Sequence, residues 1–147
     1  MLRDQLTEAV KTAMRARETR RLGTLRLVMA AIKDLDLAPN SKAVGDAEIL
    51  QLLAKMIKQR RESIAIYEAN ARTELAQQER DEIVIIEEFL PKQMTEVEVR
   101  SAIAAAITES GAQTIKDMGK VMTVLKGRFT GQMDFGKASS VVKDLLK

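Results

Sequence analysis

The side chains that could do chemistry in this sequence are mainly cationic, and they concentrate in the last third of the chain. Residues 92–147 hold nine basic and six acidic residues, whereas residues 1–91 hold fifteen of each, so the net charge of +3 arises entirely after Pro91. Lysine and arginine clustered in this way bind phosphates, and such binding weakens steeply as salt increases. The candidate nucleic-acid-binding residues are Lys116, Lys120, Lys126, Arg128 and Lys137.

Aromatic side chains, which could stack on bases, are scarce. They make up 3% of the chain and consist of Tyr67, Phe89, Phe129 and Phe135. Proteins that bind single-stranded RNA use aromatic rings as stacking platforms, whereas folded RNA is recognised through phosphates, 2′-hydroxyls and shape. The composition therefore favours a folded RNA, such as tRNA, over a single strand.

The residue types give little indication of a catalytic or metal-binding site. The chain has no histidine and no cysteine, so a zinc site would depend on carboxylates alone, and no spacing of Asp or Glu stands out. Glu87 and Glu88 could form an acid–base pair, but polar positions at a helix end explain them more simply. Ser63 has no general base beside it. We predict no catalytic residue, no metal site and no cofactor.

Two further basic clusters lie before Pro91. Clusters of this kind are either solvated helix faces, which is the more common case, or binding surfaces for an anionic partner, and the sequence leaves both open. Their members are Arg15, Arg17, Arg20, Arg21 and Arg26 near the start, and Lys55, Lys58, Arg60 and Arg61 in the middle.

The elements that must position these residues are predicted to be helices throughout. The apolar residues are mostly Leu, Ile, Val, Met and Ala, and the chain has only two prolines and seven glycines, a composition typical of an all-α protein. Apolar periodicity predicts four helices, over residues 2–17, 20–37, 47–70 and 73–90, with a loop at 38–45. Asp46 is the predicted N-cap of the third helix.

Pro91 divides the chain into two predicted domains, a four-helix bundle at 1–91 and a three-helix domain at 92–147. A proline ends the preceding helix, and Thr95 with Glu98 forms a predicted capping pair for the next one. Gly111 should end that helix, Thr114 with Asp117 three residues later should form an acidic variant of the capping pair before the second helix, and Asp134 should cap the third. Gly119 falls inside the second of these helices, where it costs about 1 kcal/mol of helix stability relative to Ala. Either close internal packing or the approach of a ligand backbone would explain a glycine at this position.

Four sequence runs resemble the YqeY family, and the resemblance covers essentially the whole chain. They are Thr24-Leu25-Arg26, Lys58-Gln59-Arg60, Glu88-Phe89-Leu90-Pro91-Lys92-Gln93, and Lys116-Asp117-Met118-Gly119-Lys120-Val121-Met122. The resemblance implies a helical bundle followed by a small domain similar to the tail of GatB, a subunit of the tRNA-dependent amidotransferase. One element departs from the family pattern, since Gln132 stands where the family has arginine in Gly-Arg-x-Asp.

What the resemblance implies about function gives three hypotheses. The first is a tRNA-binding accessory protein without catalytic activity of its own. The second is participation in glutamine-dependent amide transfer on aminoacyl-tRNA, a carbon–nitrogen ligase reaction whose chemistry partner subunits would perform; enzyme activity of the chain itself stays open. The third is a helical protein-interaction module. The predicted partners are tRNA and an aminoacyl-tRNA-processing enzyme, and the oligomeric state stays open.

The cellular location is predicted from cysteine content and from the amino terminus. A chain without cysteine is compatible with a reducing compartment. Its first residues, Met1 to Gln5, alternate charged and apolar side chains and offer no continuous apolar run for a signal peptide or a membrane span. We predict a cytoplasmic protein that does not enter a membrane.

Overall fold

The computed structural model describes residues 1–38 and 44–146, and the regular elements in this part of the chain are all helices. The prediction of an all-α fold is confirmed, whereas the predicted loop at 38–45 lies mostly outside the described residues. The helices are α1 (Leu2–Ala16), α2 (Thr19–Leu37), α3 (Asp46–Ala69), α4 (Thr73–Glu87), α5 (Glu96–Ser110), α6 (Met118–Phe129) and α7 (Phe135–Leu145), with a 3₁₀ turn at Ile115–Asp117 before α6.

The helices form two compact units, Met1–Leu90 and Pro91–Lys147, called unit 1 and unit 2 below. Each unit buries its own apolar core. The largest fully buried side chains of unit 1 are Leu6, Leu25, Ile32, Ile49, Leu53 and Ile86, and those of unit 2 are Ile103, Leu125, Val121 and Val142. Burying each such side chain contributes about 1.5–3 kcal/mol, so aliphatic packing is the main source of stability in both units.

The caps of unit 2 follow the sequence closely. The Thr95 hydroxyl oxygen accepts a hydrogen bond from the Glu98 N–H at 3.2 Å and begins α5. Gly111 ends α5 in the left-handed conformation, with φ of 71°. The Asp134 carboxylate accepts the Gly136 N–H at 2.8 Å and begins α7. These residues satisfy backbone groups that a helix end leaves without partners, and the caps predicted at Thr95, Gly111 and Asp134 are confirmed. Of the reciprocal Thr95–Glu98 pair, the structure shows the half in which Thr95 accepts.

The predicted cap of α3 is wrong. Asp46 is the first residue of the helix and Gly45 is its N-cap, with the Gly45 N–H donating to Glu48 Oε2 at 2.9 Å. The Asp46 carboxylate instead accepts the Leu2 N–H at 3.1 Å. Asp46 therefore joins the start of α1 to the start of α3, a tertiary role that local sequence could not reveal.

Candidate nucleic-acid interface

The start of α6 is fixed by Asp117. Its Oδ2 accepts the backbone N–H of Gln113 at 3.0 Å and of Thr114 at 3.3 Å. These hydrogen bonds lower the pKa of the Asp117 carboxyl, and the nearby charge of Lys120 lowers it slightly further. An ionised carboxylate at the N-terminus also complements the helix dipole. Asp117 thereby holds the 3₁₀ turn and the first turn of α6 in register.

Helix α6 turns one face to the core and a cationic face to solvent. Val121 and Leu125 are fully buried on the inner side. At 100° per residue, Lys120, Thr123 and Gly127 fall along the opposite side, and all three are exposed. The exposed Lys116 lies in the 3₁₀ turn just before this row, and the exposed Lys126 lies beside its far end. We call the exposed residues Lys116, Gly119, Lys120, Thr123, Lys126 and Gly127 the α6 face.

The structure does not require glycine at either glycine position of the α6 face. A Cβ atom added to Gly119 or Gly127 would meet no atom within 4 Å. Neither glycine has a positive φ. Among the glycines of the described part, Gly111 and Gly131 have one. Close internal packing is therefore wrong as the explanation of Gly119. Both positions leave helix backbone open to solvent between the lysines.

Three of the five predicted residues share this face, and two do not. Lys116, Lys120 and Lys126 are exposed, and none has an ion-pair partner among residues 1–38 and 44–146. Arg128, in the last turn of α6, binds Glu109 of α5 with 2.6 Å between Nη1 and Oε2. Lys137 is exposed on a different helix, in the first turn of α7.

The segment around Gln132 has a structural role that the sequence analysis missed. Gly131 has a φ of 79°, which favours glycine. Its carbonyl oxygen accepts the Gln93 side-chain N–H at 2.6 Å, and the Gln132 carbonyl oxygen accepts the Met94 N–H at 3.0 Å. The residues after Pro91 are thus tied to the turn before α7. Only the tertiary structure reveals this pairing, because the two segments are far apart in sequence.

Several cations of the basic clusters in unit 1 are paired with carboxylates of α4 or of Glu88, which directly follows α4. Arg20 lies 3.4 Å from Asp81, Arg21 pairs with Glu88, and Arg61 lies 3.5 Å from Glu87. Glu87 and Glu88, considered above for acid–base chemistry, are therefore engaged in ion pairs. The remaining members, Arg15, Arg17, Arg26, Lys55 and Lys58, are exposed without an ion-pair partner in the described part.

Arg60 is the most enclosed cation among these pairs. Its Nε lies 2.8 Å from Glu82 Oε2 and 3.8 Å from Glu79 Oε2, and its Nη1 donates to the Met56 carbonyl oxygen at 3.2 Å. Burial raises the pKa of the Glu79 carboxyl, the negative charge of Glu82 adds to this, and Arg60 opposes it. The Arg60 side chain, which belongs to α3, is engaged by the two carboxylates of α4 and is not available to a ligand.

Among the described residues, no group of three or more acidic side chains is arranged to hold a metal ion. Over the same residues, no helix combines the length and apolarity that crossing a bilayer requires.

The fold and the site define an all-α protein of two helical units, the second of which carries a cationic helix face. The chain belongs to the Yqey-like protein family, whose model matches residues 3–146. It is also similar to proteins named "Altered inheritance of mitochondria protein 41, mitochondrial". The Kluyveromyces lactis protein is 33% identical over 84 residues, covering 57% of this chain and 45% of that protein. The Lachancea thermotolerans protein is 29% identical over 106 residues, covering 71% and 57%. The chain spans about half the length of these curated relatives.

The prediction of a cytoplasmic protein is wrong by this comparison, because the relatives from Kluyveromyces, Lachancea and Saccharomyces are all named as mitochondrial proteins. The prediction failed for a physical reason. Mitochondrial targeting segments are amphipathic and rich in arginine, so the lack of a continuous apolar run does not bear on them. The absence of cysteine is compatible with any reducing compartment and does not single out the cytoplasm.

Proposed function

We propose that this protein binds tRNA through the α6 face and acts as an accessory factor without catalysing a reaction itself. The observation that carries the proposal is the set of three exposed lysines, Lys116, Lys120 and Lys126, none of which has a carboxylate within ion-pair distance in the described part of the chain. The similarity of the family to the tail of GatB, an amidotransferase subunit that acts on tRNA, supports the choice of RNA.

The shape of the α6 face suits a phosphate backbone better than exposed bases. Lys116 and Lys126 are about 15 Å apart along the axis, at about 1.5 Å per residue, so the lysines can contact separate phosphates. Gly119 and Gly127 project no side chain between them. The face carries no aromatic side chain, so base stacking is not its means of binding. These features favour contacts to phosphates and 2′-hydroxyls.

The test is the binding of total tRNA to the intact chain across a salt series. The variant Lys116→Ala, Lys120→Ala, Lys126→Ala removes the three cations of the α6 face. A matched control, Lys33→Ala, Lys92→Ala, Lys143→Ala, removes the same charge from exposed positions outside the α6 face and outside the basic clusters. We expect the slope of log affinity against log salt to become shallower by about 2–3 units in the first variant and to change little in the control. Equal effects of the two variants would show that only net charge matters and would refute the proposal.

A protein-interaction role is the second candidate, and the outer face of α2 favours it. Leu27 and Leu37 are 51% and 72% exposed, and with Gly23, Ala30 and Asp34 they follow the spacing of a coiled-coil seam. The resemblance points to an aminoacyl-tRNA-processing enzyme as the partner, which would also perform any amide transfer. Such an enzyme should co-purify with the chain even in high salt and after nuclease treatment, and Leu27→Glu should abolish the co-purification. That result would support a direct protein contact over bridging by tRNA.

A further inference from the structure

The carboxylates of unit 2 have separable roles, and Glu109 stands apart from the others. Asp117 and Asp134 accept backbone N–H groups at helix starts. Glu96 and Glu98 lie in the first turn of α5, where a negative charge complements the helix dipole. Glu109 lies at the opposite end of α5, where a negative charge opposes the dipole, and it pairs with Arg128 in the last turn of α6. Helix stability does not account for an acidic residue there.

The pair that Glu109 makes is well placed to exchange with a ligand. Arg128 lies in the last turn of α6, two residues after Lys126, and its Nη1 is 2.6 Å from Glu109 Oε2. The side chains are 55% and 49% exposed, so water reaches both partners. Exposed ion pairs contribute little to folding stability, which means that the pair can open at small cost.

We propose that Glu109 is an internal competitor that occupies Arg128 until a phosphate of the bound RNA displaces it. This inference rests on the proposed function. Carboxylate and phosphate groups are alternative partners for the same guanidinium fork. The three lysines bind the RNA first, and Arg128 changes partner where the RNA contour brings a phosphate to the end of α6. A polyanion that cannot place a phosphate there leaves Arg128 paired with Glu109 and gains nothing from this arginine.

The experiment compares tRNA binding by Glu109→Gln and by the matched control Glu96→Gln. Both remove one negative charge from α5, but Glu96 is exposed and has no ion-pair partner within the described residues. We expect Glu109→Gln to bind tRNA about two- to fivefold more tightly than Glu96→Gln, the range set by the small strength of an exposed pair. The salt slope of Glu109→Gln should equal that of the wild type, because Arg128 contacts phosphate in both.

A double-mutant cycle with Arg128→Ala assigns the effect to the pair. Arg128→Ala alone should make the salt slope shallower by about one unit. In that background, Glu109→Gln should bind no more tightly than Glu96→Gln, since there is no guanidinium to release. Thermal unfolding of each variant, followed by circular dichroism, verifies that unit 2 remains folded.

The outcomes separate this inference from the proposed function. If the α6-face lysine variant weakens tRNA binding but Glu109→Gln matches Glu96→Gln, the competitor role is refuted and tRNA binding stands. A salt slope steeper by about one unit in Glu109→Gln would mean that Arg128 stays on Glu109 in the wild-type complex, which also refutes displacement. If the lysine variant binds tRNA like its control, both proposals fall.

Discussion

Arg60 and its two carboxylates give a sharp test of how unit 1 is stabilised, because the two partners should behave in opposite ways. Glu82 Oε2 lies 2.8 Å from Arg60 Nε, within hydrogen-bond distance, and the Arg60 and Glu82 side chains are only 13% and 16% exposed. Glu79 Oε2 is 3.8 Å away, too far for a hydrogen bond. We therefore compare Glu82→Gln with Glu79→Gln, two changes of identical chemistry one helical turn apart on α4.

The expected magnitudes follow from these distances. A hydrogen bond to a charged group contributes about 1.5–3 kcal/mol, and glutamine keeps an acceptor but loses the charge, so Glu82→Gln should lower the free energy of unfolding by about 1–2 kcal/mol. In a unit of this size, 1 kcal/mol shifts Tm by about 4–8 °C. Glu79→Gln should be neutral or stabilising at pH 7, because its carboxyl has a raised pKa and its ionised form is disfavoured in the folded state.

The sign of the pH dependence follows from that raised pKa. Unfolded Glu79 ionises more readily than folded Glu79, so the wild type loses stability as pH rises through the folded pKa. Any advantage of Glu79→Gln should disappear below about pH 4, where the wild-type residue is protonated in both states. The assay is urea unfolding followed by tyrosine fluorescence, since Tyr67 is the single tyrosine, lies in unit 1, and the chain has no tryptophan. Equal destabilisation by the two substitutions would refute this reasoning.

Three further predictions concern unit 2. Gly119→Ala and Gly127→Ala should each stabilise it by about 0.5–1 kcal/mol, since the added methyl group meets nothing and the backbone is helical; a loss of thermal stability would contradict this. Gly111→Ala should instead destabilise unit 2 by about 1–2 kcal/mol because φ is 71°, and an unchanged Tm would count against it. Asp117→Ala should lower Tm at neutral pH. The pKa of Asp117 is lowered in the folded state, so its ionised carboxylate stabilises unit 2 and this stabilisation is lost as pH falls through the folded pKa. The difference in Tm between the variant and the wild type should therefore shrink in acid.

Local features of the fold were predictable from the sequence. The caps at Thr95, Gly111 and Asp134 depend on residues within a few positions, so their chemistry alone predicts helix ends. Apolar periodicity predicted every helix, with α4 ending at Glu87 instead of Leu90. The three residues after Glu87 form turns. The sequence has no strong stop signal before Pro91, so the apolar pattern does not distinguish these turns from a continued helix.

Partners distant in sequence were not predictable. Arg128 and Lys126 look equivalent as isolated cations, yet one is neutralised by Glu109, 19 positions earlier, and the other has no such partner in the described part. Arg60 likewise depends on α4, 22 positions away from Glu82. The basic clusters of unit 1 and the lysines of unit 2 have similar densities of charge, so only the tertiary arrangement separates cations used internally from cations left for a ligand.

The exposed helical glycines give one more reason to look for ligands on α6 and α2. Sequence and structure agree at most levels in this protein, and exceptions without an internal cause tend to mark function. Gly23, Gly119 and Gly127 are such exceptions, because each lies within a helix, has open space where a side chain would stand, and lowers helix stability by about 1 kcal/mol relative to alanine. Two of them lie on the α6 face and the third on the exposed outer face of α2. If alanine at Gly119 and Gly127 stabilises unit 2 while weakening tRNA binding, the glycines serve the approach of RNA. If it stabilises unit 2 and leaves tRNA binding unchanged, backbone access is not part of recognition and the lysines act alone.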